Sequence, residues 1–372
     1  MIEQISLTNF KCFRDKTTFP LSRINLLYGM NGRGKSTVLQ ALLLFAQSVS
    51  GKSGIKKLQL KGDLINLGTF TDVINQYCGK PCFGIEIKEE EELLKSIYGQ
   101  DDNPTMATVK DLKVNGVSFF NENSIDTTTD EAKSKRTLGV IDKSNIRLLS
   151  TFEHVKYVSA DRVGPREFME RKAIDDYVLG VNGENSFQVM ETRGRDFQEQ
   201  VRALLDEVLG GASVRVETSQ DKSIIQLYLD SVNNSGGFKP INVGFGYSYV
   251  LPVVLALLLA DNGDILVIEN PEAHLHPAAQ SRMASVMMEY AKKKNLQLFL
   301  ETHSDHVVNG LRIAVKNGKI ECGEVNILHF DREGMVNESP LFEQIKIDKR
   351  GNLSSLPDDF MDEWTNQLLQ LV

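Results

Sequence analysis

Residues 29–36, "GMNGRGKS", place glycines at 29 and 34 directly before Lys35 and Ser36. The spacing G-x-x-x-x-G-K-S suits a loop whose backbone N–H groups turn inward around a phosphate. An apolar run, "INLLYG", leads into it, and "STVLQALLLFAQS" follows with apolar residues around much of a helix. Strand, loop and helix are therefore expected in register, which a chance glycine-rich turn does not explain. The helix N-terminus adds positive potential. Asn31, Gly32, Arg33, Gly34, Lys35, Ser36 and Thr37 form a candidate cradle for ATP. Lys35 is expected to reach the β- and γ-phosphates, and the Ser36 hydroxyl to join a Mg2+ shell.

A second group lies in "ILVIENPEAHLHP", residues 265–277, where four apolar residues run into Glu269. A buried strand delivering a carboxylate to the same magnesium has this form, and ligands in open α/β sheets sit beyond the carboxyl ends of strands. Asn270 follows; its amide oxygen can orient a water but cannot take a proton. Glu272 is the nearest further carboxylate, either a base for that water or a cap for the next helix. A third strand, "LQLFLETHS", ends at His303, which is either a phosphate contact or a strand cap. His274 and His276 have H-x-H spacing, and Arg162 and Arg166 in "SADRVGPR" suit a site and a surface role equally. Lys292 to Lys294 read as a solvated helix end.

The elements that must hold these residues alternate along the chain. The first 28 residues read as strands. From about 88 to 150 the chain turns polar, with "KEEEELLKS", "GQDDNPT" and "NENSIDTTTDEAKSKR", and a solvated acidic loop is expected. "HVKYV" restores a strand, "DFQEQVRALLDEVLG" a helix with a glycine stop, and "SVRVETS" with "SIIQLYLDS" an antiparallel pair, followed by a turn at "NNSGG". An apolar helix after "NVGFGYS", then strand, helix, strand and a further strand around "VNILHF" complete the order. The expected fold is an α/β P-loop NTPase with a mixed central sheet and an antiparallel β subdomain. It is expected as one domain: an N-terminal lobe over 1–80, a polar insertion over 81–150, a middle lobe over 151–240, a lobe over 241–335 and a tail over 336–372.

Composition narrows the classes. With 372 residues, 41% hydrophobic and 25% charged, the chain has enough apolar material for a sizeable core. A net charge of -8 argues against a uniformly basic nucleic-acid coat and leaves room for a local basic groove. The longest apolar run, Val250 to Ala260, is shorter than the roughly 20 residues a membrane helix needs. Four cysteines make no disulfide framework. A cytoplasmic location without membrane contact is expected.

Taken together, "ISLTNFKCF", "INLLYGMNGRGKST", "IENPEAHLHP" and "ETHS" resemble the ABC-type ATPases of the RecF, OLD and SMC class, without a long coiled coil. Within it the chain is similar to a poorly characterised prokaryotic family sharing "GDLINLGTF", "SADRVGPR", "NVGFGYSYVLP", "ETHSDHVVNGLRIAV" and a tail like "PDDFMDEW". The resemblance implies two heads sandwiching two ATP molecules, each nucleotide touching the signature segment of the other copy. That segment is "NVGFGYS" here, with Gly244, Gly246 and Ser248 as candidate contacts, although Gly244 stands where the family's serine does. It implies His303 as the switch histidine and places His274 and His276 in the D-loop. It also implies a catalytic glutamate at the position that Asn270 holds.

Three functions fit. The first is a slowly hydrolysing ATPase switch that dimerises and controls an effector such as a nuclease or toxin, in antiphage defence or DNA repair, with nucleic acid as a further partner. The second is a non-hydrolysing ATP-dependent scaffold. The third is a transporter-type ATPase subunit, which the RecF-like N-terminus disfavours.

Overall fold

The strands are of two kinds, and the burial of each follows from its side chains. β1 (Ile2–Thr8), β2 (Thr17–Pro20), β4 (Lys57–Gln59), β5 (Cys82–Glu89), β6 (Glu92–Gln100), β7 (Met106–Val114) and β8 (Val117–Asn121) form an antiparallel sheet in the order β2-β1-β5-β6-β7-β4, with β8 on β7. Along β5 every second residue is buried, as one packed and one wetter face require. By contrast β3 (Ile24–Gly29) and β14 (Gln297–Thr302) are buried at every position, the pattern of strands covered on both faces. This computed structural model describes residues 1–51, 54–121, 146–173, 178–230, 237–331, 341–357, 360–361 and 363–371.

The chain forms two compact units. The first comprises Met1–Asn25, Gly29–Val155 and Leu328–Gln344, and holds the antiparallel sheet. It also contains α1 (Lys35–Val49), α2 (Phe70–Val73), α3 (Leu148–Thr151) and most of β16 (Leu341–Ile345). α1 is buried around nearly its whole circumference, with Phe45 against Phe152 at 5.2 Å.

The polar stretch from 88 onward departs from expectation. Its acidic run is a tight hairpin in which Glu89 pairs with Glu92 and Glu90 takes the left-handed turn position at φ +52°. Residues 92–121 then continue the sheet as β6, β7 and β8, so the expected solvated loop is corrected to strands over this span. The pattern misleads because β6 and β7 interleave buried residues with wetter ones, among them Lys95, Lys110 and Lys113. Residues 122–145, most of "NENSIDTTTDEAKSKR", lie outside the described residues, as do most of "NNSGG" and part of "PDDFMDEW".

The second unit comprises Leu26–Tyr28, Lys156–Ile327 and Ile345–Val372. Its main sheet runs β15-β3-β14-β13-β9, with β9 (Val155–Val158), β13 (Ile265–Glu269) and β15 (Val325–Asp331). β13 and β14 are parallel, with Glu269 beside Glu301, so both deliver polar residues to one edge. A smaller antiparallel sheet orders β10 (Phe168–Glu170), β12 (Ile224–Asp230) and β11 (Ser213–Thr218), where the expected strand pair is found. The helices are α4 (Ser186–Leu209), α5 (Phe245–Leu259), α6 (Pro277–Lys293), α7 (Asp305–Lys316) and α8 (Glu363–Gln370). α4 is broken at Gly194, whose backbone is non-helical. Among the described residues no helix is long and apolar enough to cross a membrane.

Candidate functional site

The phosphate loop is built on backbone that only glycine accepts. Gly29 has φ +129°, and a Cβ there would lie 2.4 Å from the Phe330 carbonyl oxygen. Gly34 has φ +102°, and its Cβ would meet the Phe13 ring at 2.8 Å and Cys12 Sγ at 3.1 Å. Gly32, also left-handed at φ +74°, has open space around it, and Asn31 beside it is exposed. The loop is thus pressed onto the "KCF" turn while its crest faces outward. Lys35, only 2% exposed, donates Nζ–H bonds to the carbonyls of Gly29 (2.9 Å) and Met30 (2.5 Å). Thr37 is buried and accepts from Cys12 Sγ at 3.5 Å, so its side chain belongs to the floor of the loop. Arg33 Nη2 lies 3.6 Å from Met30 Sδ. Glycine amides, a buried ammonium and the Ser36 hydroxyl at a helix start are the donor set that phosphate needs.

Within the second unit the edge after β13 gathers four segments. Glu269 Oε2 accepts from the Ala160 N–H at 3.2 Å. Burial, and then the negative charge of Glu269, holds the Tyr157 phenol well above its ordinary pKa. Asn270 follows in a left-handed conformation at φ +44°, and its N–H donates to the Glu301 carbonyl at 2.8 Å. Asn is among the residues that tolerate this region best. Glu272 accepts from the His303 N–H at 3.1 Å, while α6 is capped by His276 Nδ1 accepting from Ala278. The helix-cap reading of Glu272 is therefore corrected: it ties the end of β14 to the turn after β13. Burial raises the Glu272 pKa, against its backbone hydrogen bonds and the Arg162 charge, which lower it. The His303 side chain is exposed.

Two oxygens at this edge, Asn270 Oδ1 and Glu272 Oε2, are buried without a hydrogen-bond partner. Such acceptors are costly unless something donates to them. A water or a magnesium-bound water fits, so the residues suit a hydrated metal–nucleotide. Among the described residues no group of three or more His, Cys, Asp or Glu could hold a metal by itself. Mg2+ characteristically borrows phosphate oxygens and needs only one or two protein ligands.

Arg162 belongs to this edge, and the surface role is corrected. It is 3% exposed, Nη2 donates to the carbonyls of Glu269 and Asn270 (the latter at 3.0 Å), and Nη1 donates to the Tyr249 carbonyl at 3.3 Å. Burial pushes its pKa down to about 10, against the attraction of Glu272 and Glu269. Nothing in the sequence marks such a role, because carbonyl partners leave no side-chain signature; only the paired arginines of "SADRVGPR" hinted at a site. Tyr157 and Ala160 gave no hint.

The signature segment starts α5. Gly244 is exposed, its Cβ position has no atom within 4 Å, and Phe245 and Ile241 beside it are 57% and 52% exposed. A Cβ on Gly246 would lie 2.8 Å from the His274 carbonyl oxygen, so that glycine serves an internal close approach. Ser248 is buried and lines a pocket with Val163, Gly164, Leu251 and Pro252. Gly244 and Ser248 thus differ in surroundings, the one open and the other among pocket-lining residues. His274 packs its ring on Tyr249 at 4.3 Å.

Comparison with known proteins follows the same lines. An uncharacterized protein of Methanocaldococcus jannaschii is 28% identical over 104 residues, covering 28% of this chain and 90% of that protein. The SMC head domain from Thermotoga maritima is similar at 12% identity and a TM-score of 0.47, covering 93% of this chain and 99% of that one. An Smc head domain with an extended coiled coil, bound to the C-terminal domain of ScpA and derived from Pyrococcus furiosus, is similar at 12% identity and a TM-score of 0.49, covering 100% and 99%. Residues 320–371 match a family described as a protein of unknown function (DUF3696). Residues 1–308, most of the chain, match the AAA ATPase domain; the chain belongs to that family, and its phosphate loop is that of an ATP-binding ATPase.

Proposed function

We propose that the chain is a slowly hydrolysing ATP switch that associates head to head with a second copy and controls a partner protein. The observation that carries the slow rate is Asn270 at the end of β13, its buried Oδ1 without a partner and no carboxylate of its own. In this reading Lys35 and the loop amides bind the phosphates. Ser36 and Glu269 serve as the magnesium ligands, and His303 meets the γ-phosphate. Asn270 orients the attacking water, while Glu272 accepts its proton. General-base help is worth about 10²–10⁴-fold, and a base displaced by two residues recovers only part of it. Likeness to the RecF, OLD and SMC class supports the further step: an effector such as a nuclease or toxin, in antiphage defence or DNA repair, with nucleic acid as a second partner.

Steady-state phosphate release tests this reading in wild type, Glu269→Gln, Glu272→Gln, Asn270→Glu and Lys35→Ala. Slow wild-type turnover, a loss of about 10²-fold or more in Glu272→Gln and loss of tight ATP binding in Lys35→Ala are expected. Asn270→Glu gains a base while straining a left-handed backbone by about 1 kcal/mol. Rapid wild-type turnover that Glu272→Gln leaves untouched overturns the proposal. ATP-stable dimers without phosphate release mark a scaffold instead.

A further inference from the structure

We propose that Arg162 is a positioning residue that couples the exposed start of α5 to the catalytic turn after β13. It rests on the head-to-head association proposed above and adds a route by which association reaches the chemistry.

The geometry is a fork with three prongs. One guanidinium nitrogen holds the carbonyls of Glu269 and Asn270; the other holds the carbonyl of Tyr249, five residues beyond Gly244 on α5. A planar guanidinium presents donors in fixed directions, whereas an ammonium is a point charge on a flexible stem. The two elements also touch beside the fork. The Tyr249 and Phe245 rings lie 4.3 and 5.7 Å from His274, and Gly246 sits against the His274 carbonyl with no room for a side chain. Residues 245–249 therefore cannot shift without moving residues 269–274. The same linkage carries a push in the other direction, since coupling is reciprocal.

The buried cation is compensated without a close ion pair among the contacts of its fork. Glu272 and Glu269 attract it, yet its donated bonds go to main-chain oxygens. That choice leaves the Glu269 and Glu272 carboxylates available for metal and water. It also means that Arg162 acts on where the backbone of Asn270 sits. A second copy pressing on Gly244 and Phe245 would thus set the Asn270 carboxamide through Tyr249 and Arg162.

The full chain, as wild type and Arg162→Lys, is compared by hydrogen–deuterium exchange and by kinetics, with and without Mg-ATP. Without nucleotide, the variant should exchange roughly tenfold faster over both 245–250 and 269–274, the loss of a hydrogen bond or two, with β11 and β12 unchanged. With Mg-ATP, wild type should slow at both segments, and the variant only at 245–250. Its kcat should fall roughly tenfold or more with KM for ATP unchanged, the pattern of a lost transition-state contact. Wild-type kcat in the variant, ATP-driven slowing at both of its segments, or loosening of one segment alone without nucleotide overturns the inference. If wild type shows no ATP effect at 245–250, the association reading fails, and the nucleotide-free comparison alone decides the bridge. Should Arg162→Lys not fold, Arg162→Gln, which keeps two donors on one nitrogen, is read the same way.

Discussion

Asn270 occupies a backbone position that disfavours most side chains. At φ +44°, with its N–H committed to Glu301, the turn suits Asn and strains a glutamate. The backbone thus gives a local reason for an amide rather than a glutamate at this position, and in the proposed reading proton transfer falls to Glu272. Burial lifts the Glu272 pKa above its ordinary 4.5, so between the unfolded and folded values the native state holds a proton that the unfolded chain has released. Stability from this group is therefore full below pH 4.5 and is lost as pH rises through the folded value. Denaturant unfolding across pH should show that downward slope in wild type and its loss in Glu272→Gln. Turnover should run the opposite way, rising with pH as the base deprotonates, with a midpoint above the ordinary glutamate value. A wild-type rate flat across that range removes Glu272 as the base. The residue types Glu269, Asn270 and Glu272 were visible in the sequence as a row of candidates. Their division of labour was not, because it depends on φ and on which oxygen a backbone N–H reaches.

At the scale of elements, helix α5 is apolar throughout its middle and so must have its final carbonyls satisfied from outside. Lys294 Nζ donates to the carbonyls of Leu257 (3.1 Å), Leu258 (2.7 Å) and Ala260 (2.7 Å), and Lys156 Nζ to that of Leu259 (2.7 Å). Three successive lysines read as a solvated helix end, yet the third closes another helix. Lys294→Met should lower stability by about 1–3 kcal/mol through unsatisfied carbonyls. Lys293→Met, which gives up an exposed contact with Tyr290, should cost about 0.5 kcal/mol. Equal shifts in thermal unfolding would show that the α5 end is held by something else. Strand β3, the phosphate loop and α1 were legible because their signal is contiguous in sequence. Strands β6 and β7 were not, since strands that interleave buried residues with lysines look like loop until a partner strand is known.

For the whole molecule, the prediction that matters is nucleotide-linked association. Gly244 and Gly246 are two residues apart but differ in what surrounds them: open space at one, the His274 carbonyl at the other. Gly244→Asp adds a carboxylate at the N-cap of α5, where Asp is a favoured residue, so the fold should keep or gain stability. In the proposed association the same charge would meet the phosphate bound by a second copy. Sedimentation with Mg-ATP should show a heavier species in wild type and none in Gly244→Asp. Gly246→Asp would also abolish it, but by disturbing the His274 turn, and its melting temperature should drop. A Gly244→Asp chain that still associates with ATP moves the contact surface elsewhere.

The residue after Asn270 is Pro271, and this bears on how the molecule ages. Spontaneous deamidation of asparagine usually begins when the next residue's amide nitrogen attacks the side chain, closing a five-membered imide that later opens to aspartate. Proline has no N–H to begin that attack. A position where aspartate would introduce a carboxylate is thereby kept an amide, and the turnover rate proposed for this site would be protected from slow chemical drift.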